Sequence, residues 1–410
     1  MVPPLVRASV ALSLILTVPR VSAAQPVSTT TPLTYQAAVA RALAASPQIA
    51  AARLRAGIAI ANRDVASERL NPELHVEFER ETPTRAYGMA FPIELGGKRS
   101  RRIAVSDAEI RTGEAELAAT IAEVTAAVRR AYFARYVSSL RQALLEELQG
   151  LAVRARDAAQ ARFDAGDAPR MEVVQAQLTV SDAENQASAA RGTVDAARVT
   201  LNALLGFPLD AATPLDTSID AAPGVTADAA VARARTASAE ILVLDRRIDE
   251  QRARIALARA LQTPDITPDF SITRGAEPEF STGWRAAAGI TVPLFTTHKA
   301  GVQVETATLT QLTMEREAVV ARIAGAVVSA SVVADAQRQQ YVRYRDEIIP
   351  QAVELERMAE DAYRGGRTGI AAYLQALQSS RDVRLRSIEA AADFQAALAD
   401  LEQAMGVPIQ

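Results

Sequence analysis

The chain contains no cysteine. That absence removes disulfides, thiolate metal sites, a cysteine nucleophile and a lipid-modified N-terminal cysteine. Histidine is almost missing too. His75 and His298 are the only two, too few for a histidine-rich metal site or for histidine-based acid–base work. Aromatic residues are 4% of the chain, and Trp284 is the sole tryptophan. A chain poor in large rings and rich in alanine suits close helix–helix packing better than a thick globular core. The formal charge is −3, so the basic excess that nucleic acid requires is lacking and no nucleic-acid partner is expected. Past the N-terminus the long apolar runs read as broken by charges, which leaves no transmembrane helix. Membrane insertion then has to use strands.

No nucleophile–base pair, metal-ligand spacing or phosphate loop stands out. Gly96-Gly97-Lys98 lacks the upstream glycine and the following hydroxyl of a phosphate loop. The sequence therefore predicts no enzyme and no cofactor.

What the chain does contain is a duplication across its 410 residues. ARFDAGDAPRMEVVQAQ (Ala161–Gln177) and AYRGGRTGIAAYLQALQ (Ala362–Gln378) align at an offset of 200. That offset pairs Phe163 with Tyr363, Gly166 with Gly366, and Gly206-Phe207-Pro208 with Gly406-Val407-Pro408. Earlier in each copy AVARALAASPQI meets AVARARTASAEI at an offset of 192. A fold built from two related halves follows.

Residues 1–24 read as a secretory signal. Arg7 forms the positive region, Ala8–Val18 the apolar core, and Val21-Ser22-Ala23 a small-residue cleavage site. The rest divides into repeat 1 (25–210), a Pro/Asp/Ala-rich linker (206–224) and repeat 2 (225–410). Leu33–Arg69 and Val225–Leu261 have helical spacing and end at Asn71-Pro72 and Thr263-Pro264. Pro47 interrupts the first of these. Alternating segments follow at 73–80, 86–93, 268–274 and 284–292, making one hairpin per repeat, 73–93 and 268–292. Leu74, Val76 and Phe78 share one parity; His75, Glu77 and Glu79 share the other.

Residues 99–165 and 300–364 then read as helices on the order of 100 Å long. Their return helices, 169–205 and 370–405, are about half that length, roughly 55 Å. Two half-length helices stacked end to end match one long one, so each repeat makes a rod of uniform height. Gly150 and Pro350 hold equivalent places in the long helices, and both are expected to bend or break them. Lys98, Arg99, Arg101 and Arg102 open the first long helix, where positive charge opposes the dipole. Anionic lipid headgroups or solvent are the expected neighbours of these four. His298, in a turn beside Lys299, reads as solvated.

Four strands are too few to close a barrel, and an open edge is not viable in lipid. Strands must be pooled between chains. A dimer gives a side-chain-filled barrel of eight strands; a trimer gives twelve and leaves a bore. Tyr87, Phe91 and Trp284 fall on the outward parity as membrane-interface aromatics, while His75, Glu77 and Glu79 line the bore. Residues two apart on a strand lie about 6.6–6.8 Å apart, so these three surround one metal ion poorly. A wetted polar lumen is the expectation.

With Glu347-Ile-Ile-Pro-Gln-Ala-Val and the paired turn segments Phe163…Gly166…Glu172-Val-Val-Gln-Ala and Tyr363…Gly366…Tyr373-Leu-Gln-Ala, the chain resembles the TolC-type outer-membrane efflux proteins from Leu33 onward. Phe91-Pro-Ile-Glu-Leu-Gly-Gly-Lys-Arg resembles the subgroup serving cobalt–zinc–cadmium-type efflux. The resemblance implies a mainly α fold with a small β part, in which duplicated long-helix hairpins form a trimeric α-helical barrel joined to a 12-stranded transmembrane β-barrel. It implies a homotrimer in outer-membrane lipid, a periplasmic adaptor (membrane fusion) protein and an inner-membrane pump of the RND type. The helical tips, Gly166, Asp167, Ala168 and Glu172 in one copy and Arg364, Gly365, Gly366, Arg367 and Thr368 in the other, are implied to contact the adaptor and form the entrance. Some relatives carry acids just after the second tip; here Ala371-Ala372-Tyr373-Leu374-Gln375 has none, and Glu172 keeps one in the first copy.

The function that follows is an outer-membrane exit duct for heavy-metal cations. Drug or amphiphile efflux and type I protein secretion are the alternatives. A soluble coiled-coil scaffold is a further rival, and it leaves the alternating segments and the signal unexplained.

Overall fold

The computed structural model describes residues 32–81, 83–216 and 226–406. The expected signal, the centre of the linker and Val407-Pro408 lie outside the described residues.

Each half of the chain runs helix pair, strand pair, long helix, return helix. The first half has α1 (Tyr35–Ala45), α2 (Pro47–Ser67), β1 (Glu73–Phe78), β2 (Arg85–Ala90), α3 (Lys98–Asp164) and α4 (Arg170–Leu205). The second has α5 (Ala227–Ala237), α6 (Ala239–Ala260), β3 (Asp265–Ala276), β4 (Phe280–Thr291), α7 (Lys299–Arg343), α8 (Ile349–Arg364) and α9 (Ile370–Met405). The break between α1 and α2 follows from local chemistry. Ser46 is extended, its hydroxyl accepts from the Ile49 N–H, and Pro47 occupies the first turn, where its missing N–H costs nothing.

The two long helices differ where the sequence led us to expect a matched pair of breaks. α3 runs through Gly150 without interruption for 67 residues. In the second copy a π-helical turn, Tyr344–Ile348, separates α7 from α8 just ahead of Pro350. Glycine only lowers helix propensity, whereas proline removes a donor and clashes with the preceding turn, so the ladder is displaced at Pro350 alone.

The strands form one sheet in the order β1-β2-β3-β4, antiparallel throughout. The two expected hairpins, one per repeat, are joined edge to edge by pairing of β2 with β3. β3 and β4 are 12 residues each, longer than their alternating cores, because Asp265, Thr267, Pro268 and Gly283 still pair although their side chains break the pattern. β2 pairs beyond its nominal end, with the Phe91 and Ile93 N–H groups donating to Pro268 and Ile266. Glu79 falls just past β1.

Around the helical part, α3 packs against α2 on one side and α6 on the other, and α6 packs against α7. Farther from the sheet, α4 packs against α3, α3 against α9, and α9 against α8. Three apolar clusters fill these layers. Leu144, Leu148 and Leu151 pack with Tyr363, Tyr373 and Leu377; Ile323 and Val327 with Phe394 and Leu401; and Val128 and Tyr132 with Ile49 and Leu201. A buried ion pair, Arg129 to Glu402 at 2.5 Å, ties the first half to the last helix. The described part of the linker packs where α1 meets α4: Leu33 bridges Leu215, and the Tyr132 hydroxyl donates to the Leu33 carbonyl.

Among the described residues, one helical stretch, Lys299–Arg364, is long and apolar enough to cross a membrane by length and composition alone. The expectation that charges break every apolar run therefore fails at Ala318–Ala334, which carries only Arg322. This segment belongs to the helical wall: Ile323 and Val327 pack against α9, and Arg322 pairs with Glu240 of α6.

Candidate functional site

The sheet register sorts its side chains into two faces. One carries Leu74, Val76, Tyr87, Met89, Phe270, Ile272, Trp284, Ala286 and Ile290. The other carries Glu73, His75, Glu77, Ala86, Gly88, Asp269, Ser271, Thr273 and Arg285. The covered face is the polar one: Ser271 is 0% exposed and Thr273 7%, whereas Trp284 on the apolar face is 72% exposed. A sheet in water hides its apolar face. This inversion matches a barrel wall, with apolar residues toward lipid and polar residues toward a lumen. Tyr87 and Trp284 stand on the apolar face, with Trp284 stacked on Phe270 at 6.4 Å; Phe91 is exposed beyond β2.

His75 and Glu77 lie on the polar face, each with a partner. His75 Nε2 is 3.4 Å from Asp269 Oδ2, and Glu77 is 3.7 Å from Arg285. Glu79 lies outside the strand, exposed, its N–H donating to Thr84.

At the junction of sheet and helices the basic cluster is used internally. Lys98 is buried and its Nζ is 2.7 Å from Asp265, Arg99 donates to the Ser67 carbonyl at 2.6 Å, and Arg102 pairs with Glu94. Only Arg101 is left exposed. The expected contact with lipid headgroups or solvent is overturned for Lys98, while Arg99 and Arg102 are half-exposed and have internal partners. Acceptors from α2, the β2–α3 turn and β3 converge on this helix start, and neutralising partners are better neighbours for a buried cation than water-poor surroundings. His298 is half-exposed with a left-handed backbone at the start of α7.

At the far end, the two tips share one turn. The Gly166 N–H donates to Phe163 and the Asp167 N–H to Arg162; the Gly366 N–H donates to Tyr363 and the Arg367 N–H to Ala362. Both glycines have positive φ, 80° and 66°, as this helix-ending turn requires. Gly166, Asp167, Arg364, Gly365, Gly366, Arg367 and Thr368 are exposed, and Ala168 is half-buried. Glu172 differs from these. It turns inward to Arg162 at 3.7 Å and accepts from the Tyr363 hydroxyl at 3.3 Å. The Arg162 guanidinium lies 4.9 Å over the Tyr363 ring, which stacks on Tyr373 at 5.4 Å. Burial pushes the phenol of Tyr363 above its usual value and that of Tyr373 up to about 12.

Arg162, Asp269 and the Tyr363 hydroxyl were not singled out from sequence. Two signals were present: Gly88 opposite a histidine-bearing strand, and a tyrosine in the second copy where the first has Phe163.

At three heights the chain forms a strip with two open edges. The strips are β1 to β4, then α2-α3-α6-α7, then α4-α3-α9-α8. Apolar side chains stand exposed at both edges of the helical strips: Leu54 and Ile58 on α2, Val304 and Met314 on α7, Val174 and Leu178 on α4, Leu355 and Met358 on α8. Such a strip, crowned by an inverted sheet, defines one stave of a membrane-spanning duct extended by a helical tube.

The model of the family described as outer membrane efflux protein matches residues 38–207 and 230–407. The chain belongs to that family, and its place is the outer membrane, extending into the periplasm. It is 27% identical over 266 residues to the cobalt-zinc-cadmium resistance protein CzcC of Cupriavidus metallidurans, covering 64% of this chain and 63% of that protein. It is 27% identical over 292 residues to the nickel-cobalt-cadmium resistance protein NccC of Alcaligenes xylosoxydans xylosoxydans, covering 65% and 62%. The matched region thus spans less than two thirds of these relatives. Among solved structures the CusC channel superposes with a TM-score of 0.74 at 15% identity, covering 91% of this chain and 92% of that one.

Proposed function

We propose that identical copies of this chain close into a ring and form the exit duct of a tripartite efflux system, with heavy-metal cations as cargo. The observation that carries the reading is the alignment of open edges. β1, α2 and α4 bound one side of the stave; β4, α7 and α8 bound the other. An edge that differs from its opposite makes head-to-tail contacts, and these close when rotation returns to the start. Three copies of four strands give twelve, enough for a bore, in agreement with the homotrimer that the resemblance implies.

The duct does no chemistry. Its driving force comes from a pump of the RND type in the inner membrane, joined through a periplasmic adaptor. The exposed tip residues Gly166, Asp167, Arg364, Gly365, Gly366, Arg367 and Thr368, with Ala168, form the adaptor-facing surface. The Arg162–Glu172–Tyr363 contact, built over the buried Tyr363 ring, holds the two tips of a protomer together, and opening requires it to part. Tyr87, Phe91 and Trp284 stand at the lipid interface.

Metal cargo is supported by the names of the two relatives. Deleting the gene is expected to sensitise cells to zinc, cobalt, cadmium or copper. Unchanged metal tolerance with new sensitivity to dyes or detergents replaces metal by amphiphiles as cargo.

A further inference from the structure

The polar face of the sheet holds a feature that the parity pattern along one strand does not reveal. His75 on β1 reaches over β2 to Asp269 on β3. It can do so because the residue between them is Gly88: a Cβ there would lie 2.1 Å from His75 Nε2. The imidazole occupies the space that any other side chain would fill.

We propose that His75 and Asp269 form a two-ligand station for a divalent transition-metal cation on the lumen wall. The distance between them fits this. At 3.4 Å, Nε2 and Oδ2 are beyond the 2.7–3.2 Å or so of a well-formed N–H···O bond. In a tetrahedral zinc site, with metal–nitrogen and metal–oxygen bonds of about 2.0–2.2 Å, two ligand atoms stand about 3.4 Å apart. The two atoms therefore already stand at the spacing of two ligands of one tetrahedral zinc ion.

The surroundings agree. Ser271, opposite Gly88 on the same face and two residues from Asp269, is fully buried, and its hydroxyl has no hydrogen-bond partner among the described residues. It offers a further oxygen beside the pair. Of the other acids on this face, Glu77 is already matched by Arg285, and Glu73 stands across Ala90 from Asp269. A cation thus meets one imidazole–carboxylate pair that, among the described residues, is paired with no lysine or arginine.

Two protein ligands leave at least two positions to water. Such a station binds weakly and exchanges, which a conducting wall requires: favourable enough to enter, loose enough to leave. It also selects. Imidazole favours zinc, cobalt and nickel over magnesium and calcium. In the closed ring the station repeats once per protomer. The proposal rests on the metal-efflux reading for its purpose but not for its geometry.

The test uses the full-length protein in detergent, labelled with 15N at histidine. Only His75 and His298 report, so each imidazole is resolved. Titration with zinc chloride is expected to shift His75 Nε2, with magnesium chloride silent at equal concentration. His75→Gln removes the response. Asp269→Asn and Gly88→Ala weaken it about tenfold or more, while an unchanged His298 signal certifies folding. A His75 resonance indifferent to zinc, or an equal response in Asp269→Asn, overturns the proposal. The two readings fail separately. A deletion strain sensitive to zinc together with a silent His75 removes the station and leaves metal efflux standing. A responsive His75 with unaltered metal tolerance keeps the station and removes metal as cargo.

Discussion

The hydroxyl of Tyr363, at the second tip, donates to the Glu172 carboxylate at the first, across 3.3 Å. The two residues are separated by most of the duplicated length, and the Arg162 guanidinium covers the same ring. At this length the bond contributes about 0.5–1.5 kcal/mol. Tyr363→Phe is therefore expected to raise the open fraction severalfold, since about 1.4 kcal/mol is a factor of ten. Conductance in planar bilayers reads this directly, and a variant as closed as the wild type counts against a latch at this contact.

Ring closure predicts which helices meet between copies. Within one chain α3 and α6 stand between α2 and α7. The ion pairs Arg63–Asp107, Arg247–Glu116 and Arg316–Asp245 set the relative heights of these four helices. Stepped across those pairs, Leu54 on α2 is level with Met314 on α7, and both are exposed. Since the chain has no native cysteine, Leu54→Cys with Met314→Cys provides a clean cross-link. Oxidation is expected to convert monomer into dimer and trimer bands on denaturing gels, with nothing larger. A ladder past trimer, or cross-linking confined to single chains, contradicts the proposed closure.

The inverted sheet predicts unequal tolerance of charge. Ile272→Arg places a cation on the lipid-facing side, at a cost of about 2–4 kcal/mol near the bilayer middle. Ala287→Arg places the same cation on the lumen side, where water solvates it. The first is expected to lower the yield of assembled protein in outer-membrane fractions severalfold, and the second to leave it near wild type. Equal yields would remove the assignment of faces.

Alkaline pH is expected to loosen the tips. Burial raises the Tyr373 phenol to about 12, above the usual value of about 10. Below pH 10 or so both folded and unfolded chains keep the proton, and the contribution to stability is complete. Between about 10 and 12 the unfolded chain releases it first, so that contribution falls as pH rises. Thermal melts across this window should show a decline that Tyr373→Phe makes shallower. An identical slope in the variant would show that other groups dominate.

Much of the architecture was legible in the chain itself. Repeated glycine turns at a fixed offset gave the duplication, and helical spacing gave the long and short helices. Alternating parity gave the two faces of the sheet, from which a shared barrel followed. These features are local: periods of 2 and 3.6 are set by backbone geometry and survive in any environment. Reading failed where a local signal met a distant partner. Gly150 and Pro350 looked equivalent by position, yet only proline forces the ladder to shift. The basic run after Gly97 looked free for lipid, yet Asp265 and Glu94 neutralise two of its members.

The sequence by itself therefore determined that this is a duplicated helical rod with too few strands to close alone. Only the tertiary structure decided which side chains meet across strands and across repeats: His75 with Asp269 over Gly88, Tyr363 with Glu172, Lys98 with Asp265. The physical reason is that periodicity assigns a residue to a face, whereas a contact needs register between segments far apart in the chain. That register is fixed only when sheet and helices pack.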